Sequence, residues 1–284
     1  MAPTNKASLI INGITLHKFV MKMKTAKSIA KLQTYDYIFV DEISMVKEIF
    51  YKFLLMLKQK NMNIKFIIVG DYNQLAPVND RVTCDYKKSL ALYELCDGNR
   101  INLTTCRRSD DTLYNMCKFE NIMNFQKHTF NRKLVPKCIS FLHDTRIKVN
   151  DMWMKNKLNS YHKKPLRLEK NIYDPHCQDV FLIPNTPIIS KINNKKIEVV
   201  NNETFTIKKI LSETIIIYNE EKEIEIDIKD FQNIFYVAYC ITIHSSQGET
   251  FNEDYTIYDW EKLDKHLRYV ALTRATNIKN INIA

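Results

Sequence analysis

Four glycines in 284 residues, Gly13, Gly70, Gly98 and Gly248, are followed by Ile, Asp, Asn and Glu. That scarcity excludes from this sequence the loop GxxxxGK followed by Ser or Thr, whose glycine N–H groups wrap a phosphate and whose lysine neutralises it. The seven cysteines, Cys84, Cys96, Cys106, Cys117, Cys138, Cys177 and Cys240, form no CxxC pair. Neither a zinc site nor a dense disulfide framework is indicated, and reduced thiols inside a cell fit best. No apolar run approaches the roughly 18 residues of a spanning helix, and the start, Met-Ala-Pro-Thr-Asn-Lys, lacks the apolar core of a secretory signal. The expectation is a soluble intracellular protein. Internal repeats and long low-complexity linkers are also lacking.

What is present suits a globular chain. A hydrophobic content of 45% with 11% aromatics can fill the cores of two modest domains. The formal net charge of +10 favours a polyanionic partner such as nucleic acid, although an acidic protein or membrane surface would answer the same excess. Lysine, asparagine and isoleucine tracts such as KINNKK at 191–196 are what an AT-rich genome produces, and an AT-rich virus is a plausible source.

Tyr37-Ile-Phe-Val40 and Lys65-Phe-Ile-Ile-Val69 are short apolar runs, the pattern of buried parallel strands with a site at their C-terminal ends. Between them Val46 to Gln59 has helical spacing, which completes a βαβ unit. Asp110 to Tyr161 is lysine-rich and mostly helical in period. From Asp179 to Ile234, alternating stretches such as Thr214-Ile-Ile-Ile-Tyr218 and Glu223-Ile-Glu-Ile-Asp-Ile228 predict short strands of a small β-barrel insert. The last fifty residues return to α/β character, with strands expected near Phe235 to Ala238 and Ile278 to Ile283.

Asp41-Glu42 directly follows the first strand, at the sheet edge where ligands of such folds bind. The first carboxylate suits Mg²⁺, held through water, and the second suits orienting or deprotonating a water that attacks a γ-phosphate. An ordinary acidic turn would carry the same two letters. Gly70-Asp-Tyr-Asn-Gln-Leu-Ala-Pro-Val78 follows the second strand and brings Asp71 and Gln74 beside the first pair if the strands are neighbours.

DEISM at 41–45 and GDYNQLAPV at 70–78 resemble motifs II and III of superfamily 1 DNA helicases, in the RecD-like 5′-to-3′ branch. Ala2-Pro-Thr-Asn-Lys-Ala7 and Gly13-Ile-Thr-Leu-His17 are similar to motif Ia and the segment after it, and Leu103-Thr-Thr-Cys-Arg-Arg-Ser-Asp110 to motif IV. Ala238-Tyr-Cys-Ile-Thr-Ile-His-Ser-Ser-Gln-Gly-Glu-Thr250 resembles motif V and Tyr269-Val-Ala-Leu-Thr-Arg-Ala275 motif VI. Phe181 to Pro187 and Val199 to Glu203 look like the entry to the SH3-like subdomain of this branch.

The resemblance implies RecA-like P-loop NTPase motor domains of α/β class with a small SH3-like β-barrel insert. The expected spans are 1–105 for the first domain, without its Walker A segment, and 106–284 for the second, with 179–234 inserted. It implies ATP and Mg²⁺ as cofactors, held in a cleft between the domains, with Asp41 the metal ligand and Glu42 the catalytic base. Gln74 would sense the γ-phosphate, and Arg107 and Arg274 would act as arginine fingers, Arg274 reaching across the cleft. Gly248 and Glu249 join the nucleotide side. Cys106 and Arg108 depart from the Phe-Arg-Gln usual in the family, so either Arg107 or Arg108 can be the phosphate contact.

Pro3, Thr4, Thr15, His17, Thr242, His244, Ser246 and Gln247 would grip single-stranded DNA, or DNA with a single-stranded tail. Ser245 stands where relatives usually carry lysine. In the family the phosphate loop lies shortly before motif Ia, so the expectation is an N-terminally incomplete ATP-dependent helicase or translocase, either because the sequence begins late or because a separate upstream polypeptide supplies the loop. The alternative is a non-catalytic single-strand-binding descendant of such a motor.

Overall fold

The computed structural model describes residues 1–60, 63–77, 86–127 and 130–284. Val78 of the motif III string and Cys84 lie outside the described residues. Contacts divide the chain into two units, Met1–Thr105 and Cys106–Ala284.

The first unit holds α1 (Asn5–Ile10), α2 (Leu16–Lys22), α3 (Ala26–Ala30), β1 (Tyr37–Val40), α4 (Glu48–Lys60), β2 (Lys65–Ile68) and α5 (Leu90–Leu95). β1 and β2 pair in parallel from Tyr37 opposite Lys65 to Val40 opposite Ile68. α4 starts two residues later than its spacing predicts and turns Tyr51, Leu54 and Leu57 onto the sheet, the i, i+3, i+6 stripe of a core-facing helix. Buried Lys58 is satisfied by the end of α5: its Nζ donates to Glu94 O at 2.7 Å, Leu95 O at 2.8 Å and Asp97 Oδ1 at 2.6 Å.

Both strands were expected to be covered on two faces, and only one face is. Ile38, Val40 and Phe66 are buried, whereas Tyr37 is 58% exposed, Phe39 57%, Ile67 39% and Val69 47%. Alternation is thus present in strands whose letters read as continuously apolar, because period-2 side chains of one apolar run reach both faces.

The second unit begins with α6 (Asp111–Met116), β3 (Cys138–Ser140), α7 (His143–Asn159), β4 (Leu166–Leu168) and β5 (Val180–Leu182). β6 (Pro187–Ser190), β7 (Thr204–Ile210), β8 (Thr214–Tyr218) and β9 (Glu223–Asp227) follow, then α8 (Phe231–Ile234), β10 (Phe235–Val237) and β11 (Cys240–Thr242). β12 (Tyr255–Ile257), α9 (Lys265–Leu272) and β13 (Ile281–Ile283) complete it. One sheet is parallel, in the order β11-β3-β12-β13. A second is antiparallel, in the order β10-β6-β7-β8-β9, with Ile188, Phe205, Ile207, Ile215, Ile217 and Phe235 in its core, and β4 and β5 pair antiparallel in a third.

Two sequence expectations need correction here. The strand at Phe235 does not open the last α/β segment: β10 pairs antiparallel with β6, Phe235 opposite Ser190, and closes the β-rich sheet. The helical reading of Asp110 to Tyr161 missed β3, the second strand of the parallel sheet, since three residues are too few to show a period.

Side chains around the start of α7 form a charged cluster. His143 stacks on His176 with ring centroids 3.8 Å apart, and buried Arg146 donates to His176 O at 2.5 Å while lying 4.6 Å over the Tyr236 ring. Tyr236 donates to Asp174 Oδ2 at 2.8 Å, and Lys191 pairs with the same carboxylate. Desolvation lowers the His143 pKa from 6.5, and His176 and Arg146 add to this against Asp144 and Asp174.

Gly70 fixes how the two carboxylate-bearing loops of the first unit meet. Ile43 N donates to Val69 O at 3.0 Å, and a Cβ on Gly70 would stand 2.6 Å from both Ile43 N and Ile43 Cγ2. Gly70→Ala therefore should lower the urea midpoint by an amount equivalent to about 1–3 kcal/mol, the usual cost of overpacking. An unchanged midpoint would remove the close approach from the account. For His143 the unfolded chain binds the proton more readily than the folded one. Its contribution is therefore intact above the ordinary histidine value of 6.5 and is lost as pH falls through the lower folded value. The urea midpoint should fall between pH 7 and pH ~5, and His143→Gln should flatten that fall. An identical slope in the variant would exclude the histidine as its source.

Candidate nucleotide and DNA site

In the first unit the candidate residues sit where parallel strands end. Asp41 N donates to Met1 O at 2.8 Å, and Asp41 Oδ1 accepts Glu42 N at 2.9 Å. Glu42 takes a left-handed backbone with φ 52°, from which a short 3₁₀ turn, Ile43–Met45, departs. A non-glycine residue in that region stores strain, and here the turn is held by the Tyr51 hydroxyl donating to Ile43 O at 2.5 Å. At the end of β2, Val69 N donates to Val40 O at 2.8 Å, Asp71 Oδ1 accepts Asn73 N at 2.9 Å and Gln74 N donates to Asp71 O at 3.1 Å. Asp41, Glu42, Asp71 and Gln74 thus belong to two turns that leave adjacent, hydrogen-bonded strands.

Residues 2–17 form a second feature of this unit. Ala2 bridges Thr15 in parallel, with Leu16 N donating to Ala2 O at 2.8 Å, so Pro3 and Thr4 are held close to the segment that starts α2. Thr4 Oγ1 accepts Ala7 N and Thr15 Oγ1 accepts Lys18 N, both at 3.2 Å: these threonines cap α1 and α2. A cap uses the hydroxyl oxygen and does not consume its proton, so capping and phosphate contact are compatible. His17 is exposed and meets Phe50 edge-on at 6.5 Å.

In the second unit β11 delivers residues 242–250 to the end of the parallel sheet. Thr242 and Ser246 are buried. Thr242 Oγ1 donates to Ser245 Oγ at 2.9 Å and accepts Ser245 N, while Ser246 Oγ donates to Ile243 O at 2.9 Å. These two hydroxyls build the turn. His244 stands exposed on it, Gln247 is half-buried, and Gly248 is exposed with φ 83° and open space where a Cβ would be. Desolvation of its ring lowers the His244 pKa from 6.5, against an opposing pull from Asp264.

Arg274 follows α9 and is 1% exposed. Its Nε donates to Val270 O and its Nη1 to Glu249 O, both at 3.0 Å, and its Nη2 reaches Thr273 Oγ1 at 3.4 Å. The guanidinium expected to reach outward is turned inward, where it ties the last candidate motif to the 242–250 segment; to meet a phosphate it must leave these acceptors. Phe251 N donates to Arg274 O at 2.7 Å, which reinforces the same junction.

Arg107 and Arg108 are exposed. Arg108 Nη1 approaches Thr273 O at 3.4 Å and Asp110 N donates to Thr276 O at 3.1 Å, so this loop borders the end of α9. Cys106 packs against Ser109 Oγ at 3.3 Å. Burial raises its thiol pKa, but hydrogen bonds from Ser109 and Arg108 and the Arg108 charge bring it below the ordinary value. The role of Gly70 was not legible before the structure, although a glycine between an apolar strand and an aspartate signals close backbone approach.

Comparison with known proteins agrees with these strings. A family model described as an AAA domain matches residues 1–80, and one described as the viral superfamily 1 RNA helicase core domain matches residues 167–281. The ATP-dependent DNA helicase Pif1 of Campylobacter jejuni is 25% identical over an alignment covering 96% of this chain and 79% of that protein. The RecBCD enzyme subunit RecD of Buchnera aphidicola is 24% identical, covering 97% of this chain and 59% of that subunit. Bacteroides Pif1, solved bound to single-stranded DNA, shares the fold with a TM-score of 0.68 at 17% identity, over 99% of this chain and 81% of that one. Strings, strand-end placement and relatives coincide in pointing to the superfamily 1 DNA helicases of the RecD-like and Pif1 branch, which this chain resembles along nearly its whole length.

Proposed function

We propose that this chain is the ATP-dependent motor of a DNA helicase that moves along single-stranded DNA or a single-stranded tail. The observation that carries the reading is the turn pair at the ends of β1 and β2, which gathers Asp41, Glu42, Asp71 and Gln74 on adjacent parallel strands. The Asp41–Glu42 pair suits Mg²⁺, which keeps several waters and takes only one or two protein carboxylates beside phosphate oxygens. In this reading Glu42 orients or deprotonates a water, Gln74 senses the terminal phosphate, and Arg107 or Arg108 with Arg274 meets developing phosphate charge. Bound nucleotide supplies the phosphoryl group whose transfer drives the motor.

The triphosphate itself does not fit residues of this sequence alone, because no glycine-rich phosphate loop is among them. The phosphate loop comes from polypeptide outside these 284 residues, either continuous with them or separate. The exposed Tyr37, Phe39, Ile67 and Val69 support this, since parallel sheets are ordinarily covered on both faces and an additional strand–loop–helix would supply the cover. The non-catalytic alternative is not favoured, because the relatives are helicases.

His244 and Gln247, on the turn that Thr242 and Ser246 build, grip the DNA backbone in the second unit, with Pro3, Thr4, Thr15 and His17 in the first. Contacts of this kind position a strand without reading sequence. Replacing both His244 and Gln247 by Ala should weaken binding of a labelled oligonucleotide about thirtyfold, since two neutral hydrogen-bond donors are worth roughly 1 kcal/mol each. The salt slope should persist because no fixed cation is lost. Unchanged affinity would remove this loop from the DNA interface. With a phosphate-loop segment supplied, the chain should hydrolyse ATP on single strands. Glu42→Gln should then reduce turnover by ~10²–10⁴-fold with DNA binding intact; retained hydrolysis would take the base role from Glu42.

A further inference from the structure

β11 is three residues long and lies at the edge of its sheet, paired on one side only, with β3. Three residues give too few ladder bonds to define a register, yet a slip of one residue would turn every side chain of the following loop to the opposite face. On the paired side, Cys138 N donates to Tyr239 O at 2.7 Å and Ile243 N to Ser140 O at 2.9 Å. The N–H and C=O of Cys240 are engaged elsewhere, by one side chain. Asn150, in the middle of α7 and 0% exposed, accepts Cys240 N on Oδ1 at 2.8 Å and donates through Nδ2 to Cys240 O and Val237 O, both at 3.0 Å.

This arrangement uses the carbonyl and both N–H bonds of the amide. It holds Val237, where the antiparallel sheet ends, and Cys240, where the parallel sheet starts, so it fastens the point at which the chain changes sheets. Because the amide reads the donor and acceptor of the same residue on one edge of the strand, a slip of β11 by one residue, which would turn these groups to the opposite edge, breaks it. Two residues further on, that register sets Thr242 and Ser246 inward and His244 outward.

We propose that Asn150 is a positioning residue for the single-strand grip: it pins β11 in the register that presents His244 and Gln247. The inference rests on the reading of residues 242–248 as a DNA-binding loop. It adds a residue that touches neither DNA nor nucleotide and acts through the strand it fastens.

A double-mutant cycle on oligonucleotide affinity tests it, with thermal melting monitored in parallel. Asn150→Ala should weaken binding about tenfold, and adding it to the His244→Ala, Gln247→Ala variant should cause little further loss, because both act through one loop. Met154→Ala removes a buried side chain one helical turn along α7 and serves as the matched destabilised control, expected to melt earlier with affinity retained. Asn150→Asp keeps the shape but sets a carboxylate against two carbonyl oxygens. If the alanine variant does not fold, the aspartate variant should show the same non-additive loss. Hydrogen exchange in the DNA-free protein should quicken at 240–248 in the Asn150 variants while the antiparallel strands stay protected. Additive losses, or an equal loss of affinity in Met154→Ala, would overturn the proposal. A silent His244→Ala, Gln247→Ala variant would instead sink the DNA reading of the loop; failure of Asn150 alone requires that variant to weaken binding while Asn150→Ala leaves affinity unchanged.

Discussion

Strands of three or four residues carry the candidate functional segments that follow β1, β2 and β11, and so few ladder hydrogen bonds cannot by themselves hold a strand in place. What holds them is a set of buried or half-buried polar side chains that bond main-chain groups just before or after each strand. Tyr51 takes Ile43 O behind the Asp41–Glu42 turn, Asn150 takes Cys240 before the 242–250 loop, and Arg274 takes Glu249 O at that loop's end. Asp259 does the same for the start of α7, accepting Leu142 N at 3.1 Å and the Thr145 hydroxyl at 2.8 Å. Each bond is directional, whereas apolar packing alone would tolerate a slide along the strand.

The same logic accounts for the buried cations. Lys58, Arg146 and Arg274 are each nearly inaccessible, and each places at least one donor on a backbone carbonyl, Arg146 through Nη2 only, its guanidinium otherwise lying over the Tyr236 ring. A carbonyl at the end of a helix or strand is an acceptor that would otherwise lack a partner, so one long side chain offsets the desolvation of its own charge and of the main chain together. In Arg274 this structural use coincides with a residue whose family role is to meet phosphate. Its Nη1 bond to Glu249 O fastens the 242–250 segment to the end of α9.

Strings with unusual side chains in fixed order were legible in the sequence. DEISM, GDYNQLAPV and the 238–250 segment combine carboxylates, amides and glycines at positions where ordinary core sequences carry none; the first two leave the ends of β1 and β2 as read, and 269–275 lies on α9 and the turn after it. What the sequence concealed depends on distant partners. Asn150 looks like one polar residue in a lysine-rich helix until Cys240 is brought against it, and β3 is too short to show alternation. Thr242 and Ser246 read as donors for phosphate because their hydroxyls can serve there; only the fold shows those hydroxyls committed to the turn itself. The exposed face of β1 and β2 was hidden for a related reason: an apolar run announces that it needs cover, without saying whether the cover lies within the same 284 residues.

That face and the scarcity of glycine constrain each other. A parallel sheet with aromatic and branched side chains facing water is an unfavourable end state, since each half-exposed side chain forgoes about half of the roughly 1.5–3 kcal/mol that full burial is worth. A strand and helix laid against Tyr37, Phe39, Ile67 and Val69 would recover part of it and would also bring a phosphate-binding turn to the edge where Asp41 and Gln74 stand, because turns between adjacent parallel strands and their helices gather at one end of the sheet. Burial of the apolar face and completion of the nucleotide site are then one event, so the energy that docks the phosphate loop also sets its position against the carboxylates.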